Sequence, residues 1–154
     1  MPLPRVTICM PVFSGGHYFH SAFASALAQD YANLEILLVN DGSTDEGETE
    51  HIAQAHGNRV RCLRQECRGV AGALNTALAN MSGDFFALPS QDDFPLRHKT
   101  AAQMAYLDRL GRPGACVFPD CDLIGPKDEP IASIPARTHT RRWRSARAMP
   151  CGRQ

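Results

Sequence analysis

Apolar residues in this chain come in short blocks whose spacing switches between the alternation of a strand and the three-to-four step of a helix. VTICMPV (6–12) is rich in β-branched residues and is halted by Pro11 and the polar FSGG, so it predicts a strand. HYFHSAFASALAQDY (17–31) places Phe19, Phe23, Ala26 and Leu27 at helical spacing. LEILLV (34–39) is apolar almost throughout, as a strand covered on both faces should be. A helix over roughly 46–56 follows, with Ser43, Thr44 or Asp45 as its cap and acids in its first turn, where the helix dipole favours them. VRCLRQ (60–65) alternates and predicts a third strand. VAGALNTALANM (70–81) predicts a helix with Val70, Leu74, Ala77, Leu78 and Met81 on one face. DFFAL (84–88) predicts a fourth strand, 96–110 a helix, and ACVF (115–118) a fifth strand. DLIG and PIASI fit a small hairpin around PKDE.

Strands alternating with helices at this spacing predict an α/β fold: a mainly parallel sheet flanked by helices on both faces. Such sheets bind ligands beyond the carboxyl ends of their strands. Three polar clusters fall there: FSGG after the first strand, NDGSTD (40–45) after the second, and SQDD (90–93) after the fourth.

The chemistry of these clusters is uneven. Asp41, just past a strand end, suits the N–H of a nucleobase or a ribose hydroxyl, and Gly42 lets the backbone turn there; the same six residues also read as a plain turn with a cap. Asp92 and Asp93 are adjacent acids, the donor type taken by Mg2+ or Mn2+, which keep water and phosphate as their other ligands. Two acids facing the next helix N-terminus would also be stabilised without any metal. Gly69 and Gly72 open the third helix, whose amides suit phosphate, although glycine there also relieves packing. Arg68 suits phosphate or plain solvent. His17 and His20 lie one turn apart with no third ligand, and read as surface or packing residues.

Composition narrows the class. With 154 residues, 44% hydrophobic and 21% charged, the chain suits one globular domain. No apolar run approaches the ~18 residues of a membrane span, and no secretory signal pattern is expected at the N-terminus. The expected location is the cytoplasm, or the cytoplasmic face of a membrane. Cysteines 9, 62, 67, 116, 121 and 151 lack the short knuckle spacing of zinc ribbons and read as reduced thiols. Net charge is zero, yet residues 137–154 hold six of the 16 bases and no acid, leaving ten bases against 16 acids in 1–136. Such a tail suits phosphate or anionic lipid, so peripheral membrane association is one expectation; a poorly ordered end with no partner is the other. No nucleic-acid partner is expected. Neither G-x-G-x-x-G nor G-x-x-x-x-G-K-[ST] occurs, which disfavours other common nucleotide-binding folds.

The ordered series VTICMPVF, ALAQDYANLEILLVNDGSTD, RGVAGALNTALANMSGDFFALPSQDD, then P-L-R-H-K and FPDCDLIG, resembles the nucleotide-binding half of family 2 glycosyltransferases, with their Rossmann-like GT-A fold. The likeness covers about residues 5–126. It implies a nucleoside-diphosphate sugar donor, UDP- or GDP-linked, held with Mg2+ or Mn2+. By this likeness Pro11, Val12 and Phe13 lie along the base, and Asp41 contacts the nucleoside. Gly69, Asn75 and Asp92 complete the nucleotide set. Ser90, Asp92 and Asp93 occupy the family's D-x-D position, with Asp92 and Asp93 as metal ligands. Ser90 replaces an acid and Leu74 replaces a frequent arginine, so one ligand and one contact are expected to be missing.

Residues 1–136 are expected to form an incomplete donor-binding domain, with 137–154 as a basic tail. The acceptor half, with its acidic base, is expected to be missing; Asp120, Asp122, Asp128 and Glu129 take no assigned role, and no catalytic residue is named. The leading reading is donor binding for sugar transfer to an acceptor hydroxyl, with inversion. The alternative is a non-catalytic relative acting as a weak nucleotide-binding or protein-interaction module.

Overall fold

The computed structural model describes residues 2–111, 114–127 and 129–136. The expectations for the tail, Asp128 and Cys151 lie outside them. The chain divides into two units, Met1–Ala102 and Gln103–Gln154.

The first unit is built on strands β1 (Val6–Val12), β2 (Leu34–Asn40), β3 (Val60–Arg64) and β4 (Phe85–Ala87), with helices α1 (Gly16–Leu27), α2 (Glu48–Gln54) and α3 (Gly69–Asn80) between them. Helix α4 (Lys99–Leu110) begins at its end and runs into the second unit. All strand pairs in the sheet are parallel, in the order β3-β2-β1-β4. The chain therefore steps outward from β1 to β2 to β3, then crosses back over β1 to β4. Right-handed crossovers that reverse direction must put their helices on opposite faces.

The core shows that consequence. Side chains alternate across a strand, so Ile8, Met10, Val12, Ile36 and Leu38 face one side, where α1 contributes Phe19, Ala22, Phe23 and Ala26 and α2 contributes Ala53. Cys9, Leu37 and Val39 face the other side and pack on Ala73 and Ala77 of α3. Burial pushes the Cys9 thiol up to about 12, so it stays protonated at neutral pH.

Helix ends differ from expectation for local reasons. Helix α1 stops at Leu27, not 31, because the next residues have other partners. The Asp30 amide donates to the Arg97 carbonyl at 3.1 Å, and Tyr31 donates its hydroxyl to Pro4 O at 2.8 Å. Helix α4 starts at Lys99, not 96, because Gln29 Nε2 takes the Pro95 and Leu96 carbonyls at 3.2 and 2.8 Å. Helix α2 begins at Glu48, after Gly47 turns with φ of 88°. None of the three candidates takes the cap position, which is Gly47, but Asp45 reaches the first turn, its carboxylate accepting from the Thr49 amide and hydroxyl at 3.2 and 2.5 Å. The apolar face expected of α3 is corrected as well. Ala77 is buried as expected and Leu74 packs partly against the core, but Val70 and Leu78 are 67% and 52% exposed, and Ala73 takes the second seat on the sheet.

In the second unit, β5 (Cys121–Ile124) and β6 (Pro130–Ile134) pair antiparallel as the expected hairpin. The strand expected at 115–118 does not form. A strand needs a neighbouring ladder, and the Val117 carbonyl instead accepts from the Gln103 side chain at 3.1 Å.

One buried charge ties the sheet edge opposite the carboxyl ends. Glu35, 4% exposed, accepts from Thr7 Oγ1 at 2.6 Å, Arg61 at 2.6 Å, and the amide and hydroxyl of Ser82 at 2.9 and 2.8 Å. Burial opposes its charge, but these donors outweigh burial and lower the carboxyl from 4.5 to about 2. Glu35→Gln should cost about 1–3 kcal/mol in urea unfolding at pH 7. Because the folded carboxyl ionises below the unfolded one, its contribution is full above the unfolded value. The gap between wild type and variant should therefore close as pH falls from 4.5 toward about 2.

Candidate functional site

Because the strands are parallel, the loops after β1, β2 and β4 leave the same edge of the sheet. The winding reversal opens its crevice between β1 and β4, the usual place for a ligand in such sheets. Two neighbouring residues of β1 and its exit hold the other loops. Val12 O accepts the Asp41 amide at 2.8 Å. The Phe13 amide donates to Gln91 Oε1 at 2.9 Å, and Gln91 Nε2 returns a 3.5 Å bond to Phe13 O. Asp41 and the SQDD loop are thus anchored to successive residues of one strand end.

The loop from 90 to 98 is fixed at both ends. Upstream, the Gln91 bonds hold it to Phe13. Downstream, Gln29, 8% exposed, holds the Pro95 and Leu96 carbonyls through Nε2 and accepts from the Thr100 amide and hydroxyl at 3.0 and 2.7 Å. Asp30 pairs with His98 beside it. Within the loop Asp93 Oδ2 accepts the Ser90 amide at 2.7 Å. Asp92 is exposed and makes no side-chain hydrogen bond among the described residues.

These donors bear on a metal. Among the described residues, no three His, Cys, Asp or Glu side chains group to hold one. The protein offers a free carboxylate at Asp92 and the second oxygen of Asp93. That set fits a hard divalent ion whose remaining ligands are phosphate and water, and does not fit a closed protein cage.

Around Asp41 the geometry is tighter. The residue is 4% exposed, and its Oδ1 accepts from Gln65 Nε2 at 2.6 Å and from the Arg68 amide at 2.9 Å. Burial works against its charge. Hydrogen bonds from the Arg68 amide, Gln65, the Gly69 amide and Cys67 prevail and hold the carboxyl below its ordinary range. The Arg68 amide at the start of α3 is therefore spent on a protein carboxylate, and the Arg68 side chain is exposed. Gly42 turns with φ of 82°, and a Cβ there would lie 2.9 Å from the Cys67 amide nitrogen. Gly42, Arg64, Gln65, Glu66 and Cys67 line an open hollow of about 500 Å³, a size that admits a small ligand.

The other sequence-predicted residues sort as follows. Phe13 is 51% exposed at the mouth of β1 and offers an aromatic face. Val12 is 1% exposed and packs in the core, so only its backbone takes part at the rim. Pro11 is half-buried in β1, Gly69 turns with φ of 72° at the start of α3, and Asn75 is exposed further along that helix. His20 pairs with Glu48 at 3.1 Å. In the hairpin, Asp120 and Asp122 accept from the Ala136 amide and the Ser133 hydroxyl at 2.6 and 2.5 Å, and Glu129 from the Lys127 amide at 2.9 Å. Sequence reasoning missed three glutamines. Gln65 could have been found, since it is the first residue past β3. Gln91 sat inside a cluster already noted, overshadowed by the acids. Gln29 gave no signal, because the helical pattern ran through it.

A family model described as glycosyl transferase family 2 matches residues 7–149. The chain belongs to this family. It is 38% identical over 131 residues to an uncharacterized glycosyltransferase of Rickettsia felis, covering 85% of this chain and 22% of that protein. It is 34% identical over 103 residues to UDP-Glc:alpha-D-GlcNAc-diphosphoundecaprenol beta-1,3-glucosyltransferase WfgD of Escherichia coli, covering 66% of this chain and 40% of that protein. Among solved structures, mannosyltransferase PcManGT from Pyrobaculum calidifontis, in complex with GDP-Man and Mn2+, aligns with TM-score 0.63 at 26% identity, over 81% of this chain and 37% of that one. S. aureus TarS 1–349 with UDP-GlcNAc aligns with TM-score 0.63 at 19% identity, over 73% and 36%. These neighbours carry the GT-A glycosyltransferase fold, and the sheet of this family 2 chain matches it. The chain spans about a fifth of the length of the first curated relatives it matches, 22%, 18% and 21%. No helix among the described residues is long and apolar enough to cross a membrane.

Gly42→Ala should destabilise the protein by about 1–3 kcal/mol, since both its positive φ and the Cys67 backbone oppose a methyl group. Thermal unfolding followed by circular dichroism measures this; an unchanged midpoint would contradict the tight approach.

Proposed function

We propose that residues 1–136 form the donor-binding domain of a glycosyltransferase, holding a nucleoside-diphosphate sugar at the carboxyl edge of the sheet. The observation that carries this reading is the anchoring of the Asp41 turn and the SQDD loop to consecutive residues at the end of β1. It brings an acceptor suited to a nucleobase and acids suited to a diphosphate onto one rim. Family membership supports the reaction class, and neighbours bound to UDP-GlcNAc and GDP-Man support the donor class.

In this reading Phe13 stacks on the base, and Asp41 accepts from its N–H. Gly69 and Asn75 contribute to the nucleotide contacts from α3. Asp92 takes the metal with Asp93 behind it, and Ser90 supplies no charge. A bound Mg2+ or Mn2+ would neutralise the charge left on the departing diphosphate. Asp92 and Asp93 would hold that ion, and through it the diphosphate leaving group, on one side of the sugar; attack of the acceptor hydroxyl from the other side would give inversion. That attack also needs a base for the hydroxyl proton. Among the described residues, the hairpin acids Asp120, Asp122 and Glu129 each accept a hydrogen bond within the hairpin, which supports donor binding as the part this domain plays. A cytoplasmic location is part of this reading.

Isothermal titration with UDP and GDP, each with and without Mn2+, is the direct test. Mn2+ should tighten binding, and Asp92→Asn should remove at least about tenfold of that gain, as expected for loss of one charge-assisted ligand. Binding indifferent to both Mn2+ and Asp92 would overturn the metal role. No binding at millimolar nucleotide would favour an interaction module in place of a donor domain.

A further inference from the structure

The ladder between β1 and β4 stops short of the rim, and one side chain takes its place. β1 pairs with β2 along its whole length, Val6–Val12, but with β4 only over Val6–Ile8. Proline explains the early end. The backbone groups of a strand point alternately to its two neighbours, and those of Arg5 face β4, since Arg5 O accepts the Phe85 amide at 3.1 Å. Thr7, Cys9, Pro11 and Phe13 therefore face β4 as well, and Ala87 and Pro89 follow Phe85 in facing β1. Pro11 and Pro89 lack the N–H that a rung needs, so the ladder does not pass them.

Beyond the prolines the Gln91 carboxamide does what a rung would do. Its Oε1 accepts the Phe13 amide at 2.9 Å and its Nε2 donates to Phe13 O at 3.5 Å, so it meets the N–H and C=O that a neighbouring strand would meet. Carried forward from Ile8 and Ala87, the register would set Phe13 opposite Asp92, so the clamp joins Phe13 to the residue next to that place. Among the described residues no other side chain of the SQDD loop reaches β1: Ser90 and Asp93 bond to each other, and Asp92 makes no side-chain hydrogen bond. Phe13 depends less on the clamp than the loop does. Before it, Val12 O accepts the Asp41 amide at 2.8 Å; after it, the Ser14 amide donates to Oγ of buried Ser43 at 2.9 Å. Cutting the clamp therefore frees the loop and leaves Phe13 held on both sides.

We propose that Gln91 is a positioning residue for the acids beside it: its two-point clamp on Phe13 sets where Asp92 meets a cation on the donor diphosphate, without touching cation or nucleotide itself. This rests on the donor-domain reading above. A hard divalent ion that takes few protein carboxylates draws its other ligands from phosphate and water, so a carboxylate serves it only at a fixed place relative to the phosphate. The nucleoside end of the donor is placed by Phe13 and its neighbours, and the clamp refers Asp92 to that same point. Loss of the clamp should then weaken the metal-dependent part of nucleotide binding and spare the metal-free part.

Gln91→Met keeps the reach of the side chain and removes both hydrogen bonds. The full chain, wild type and variant, is titrated with UDP and GDP, each with and without Mn2+. The variant should lose about tenfold of the gain from Mn2+, or all of a smaller gain, the scale for a residue that orients metal ligands; its metal-free affinity should match the wild type. A merely structural role would weaken binding alike with and without Mn2+, which overturns the proposal, as does an undiminished gain. Hydrogen exchange followed by NMR reads the clamp without any ligand. The Phe13 amide should exchange faster in the variant while the Asp41 amide keeps its rate, and an unchanged Phe13 rate overturns the clamp. Wild-type binding indifferent to Mn2+ overturns this inference and leaves nucleotide binding standing. No nucleotide bound at millimolar concentration overturns the donor-domain reading and this inference with it.

Discussion

The pairing of β1 with strands on both sides, and the hydrogen bonds at its carboxyl end, govern this structure. β1 is the strand about which the winding reverses, so it alone borders both halves of the sheet. Its side chains are buried on both faces, by α1 and α2 on one side and by α3 on the other. A strand so enclosed has little freedom to move, and whatever bonds to its end inherits that rigidity. The Asp41 turn bonds to Val12 and the SQDD loop bonds to Phe13. Two polar segments far apart in the chain are thereby fixed one residue apart on a common support. A weaker design would leave each loop to find its own place, at an entropic cost of about 1–2 kcal/mol for every residue ordered on binding.

The buried charge at the other end of the sheet complements this. Glu35 gathers donors from β1, β3 and the turn after α3, so the amino-end edge is closed by one carboxylate with several partners. Isolated buried charge is costly, but a carboxylate saturated by donors is tolerated and specifies register, because a slip of one residue would leave it unpaired in the core. Sheet register and rim geometry are then two aspects of one constraint: if β2 slipped against β1, Asp41 would no longer meet Val12.

How much of this was legible in the chain depends on whether the signal was local. The strands at VTICMPV and LEILLV announced themselves because their residues are apolar on both faces, and the structure buries nearly all of them. Asp41, Asp92 and Asp93 were legible as polar residues at strand exits. Helix ends were not, because Gln29 and Asp30 leave the helical pattern only to meet residues 95–100, a partnership between segments about 70 residues apart. ACVF read as a strand because a four-residue apolar run carries no information about whether a ladder is present to receive it. On α3 the pattern placed Ala77 correctly but added the large Val70 and Leu78, whereas close approach to the sheet requires small residues, and Ala73 is buried beside Ala77.

The three glutamines share a logic that no local pattern reveals. Gln91 joins the SQDD loop to β1, Gln29 closes that loop's far end, and Gln65 links the Asp41 turn to α3. Each uses both ends of its carboxamide, donating with nitrogen and accepting with oxygen, so one side chain clamps two segments. Asp or Glu could accept but not donate, and each would add negative charge at a rim proposed to meet a diphosphate. Lys or Arg could donate but not accept, and would compete for the carboxylates of Asp41 and Asp92. Neutral clamps add no charge of their own to the rim, so the carboxylate of Asp92, free of side-chain hydrogen bonds among the described residues, keeps its field. A carboxamide also holds its partners in a fixed plane. At Gln65 that plane ties the Asp41 turn to Thr76 of α3 with both ends of one side chain.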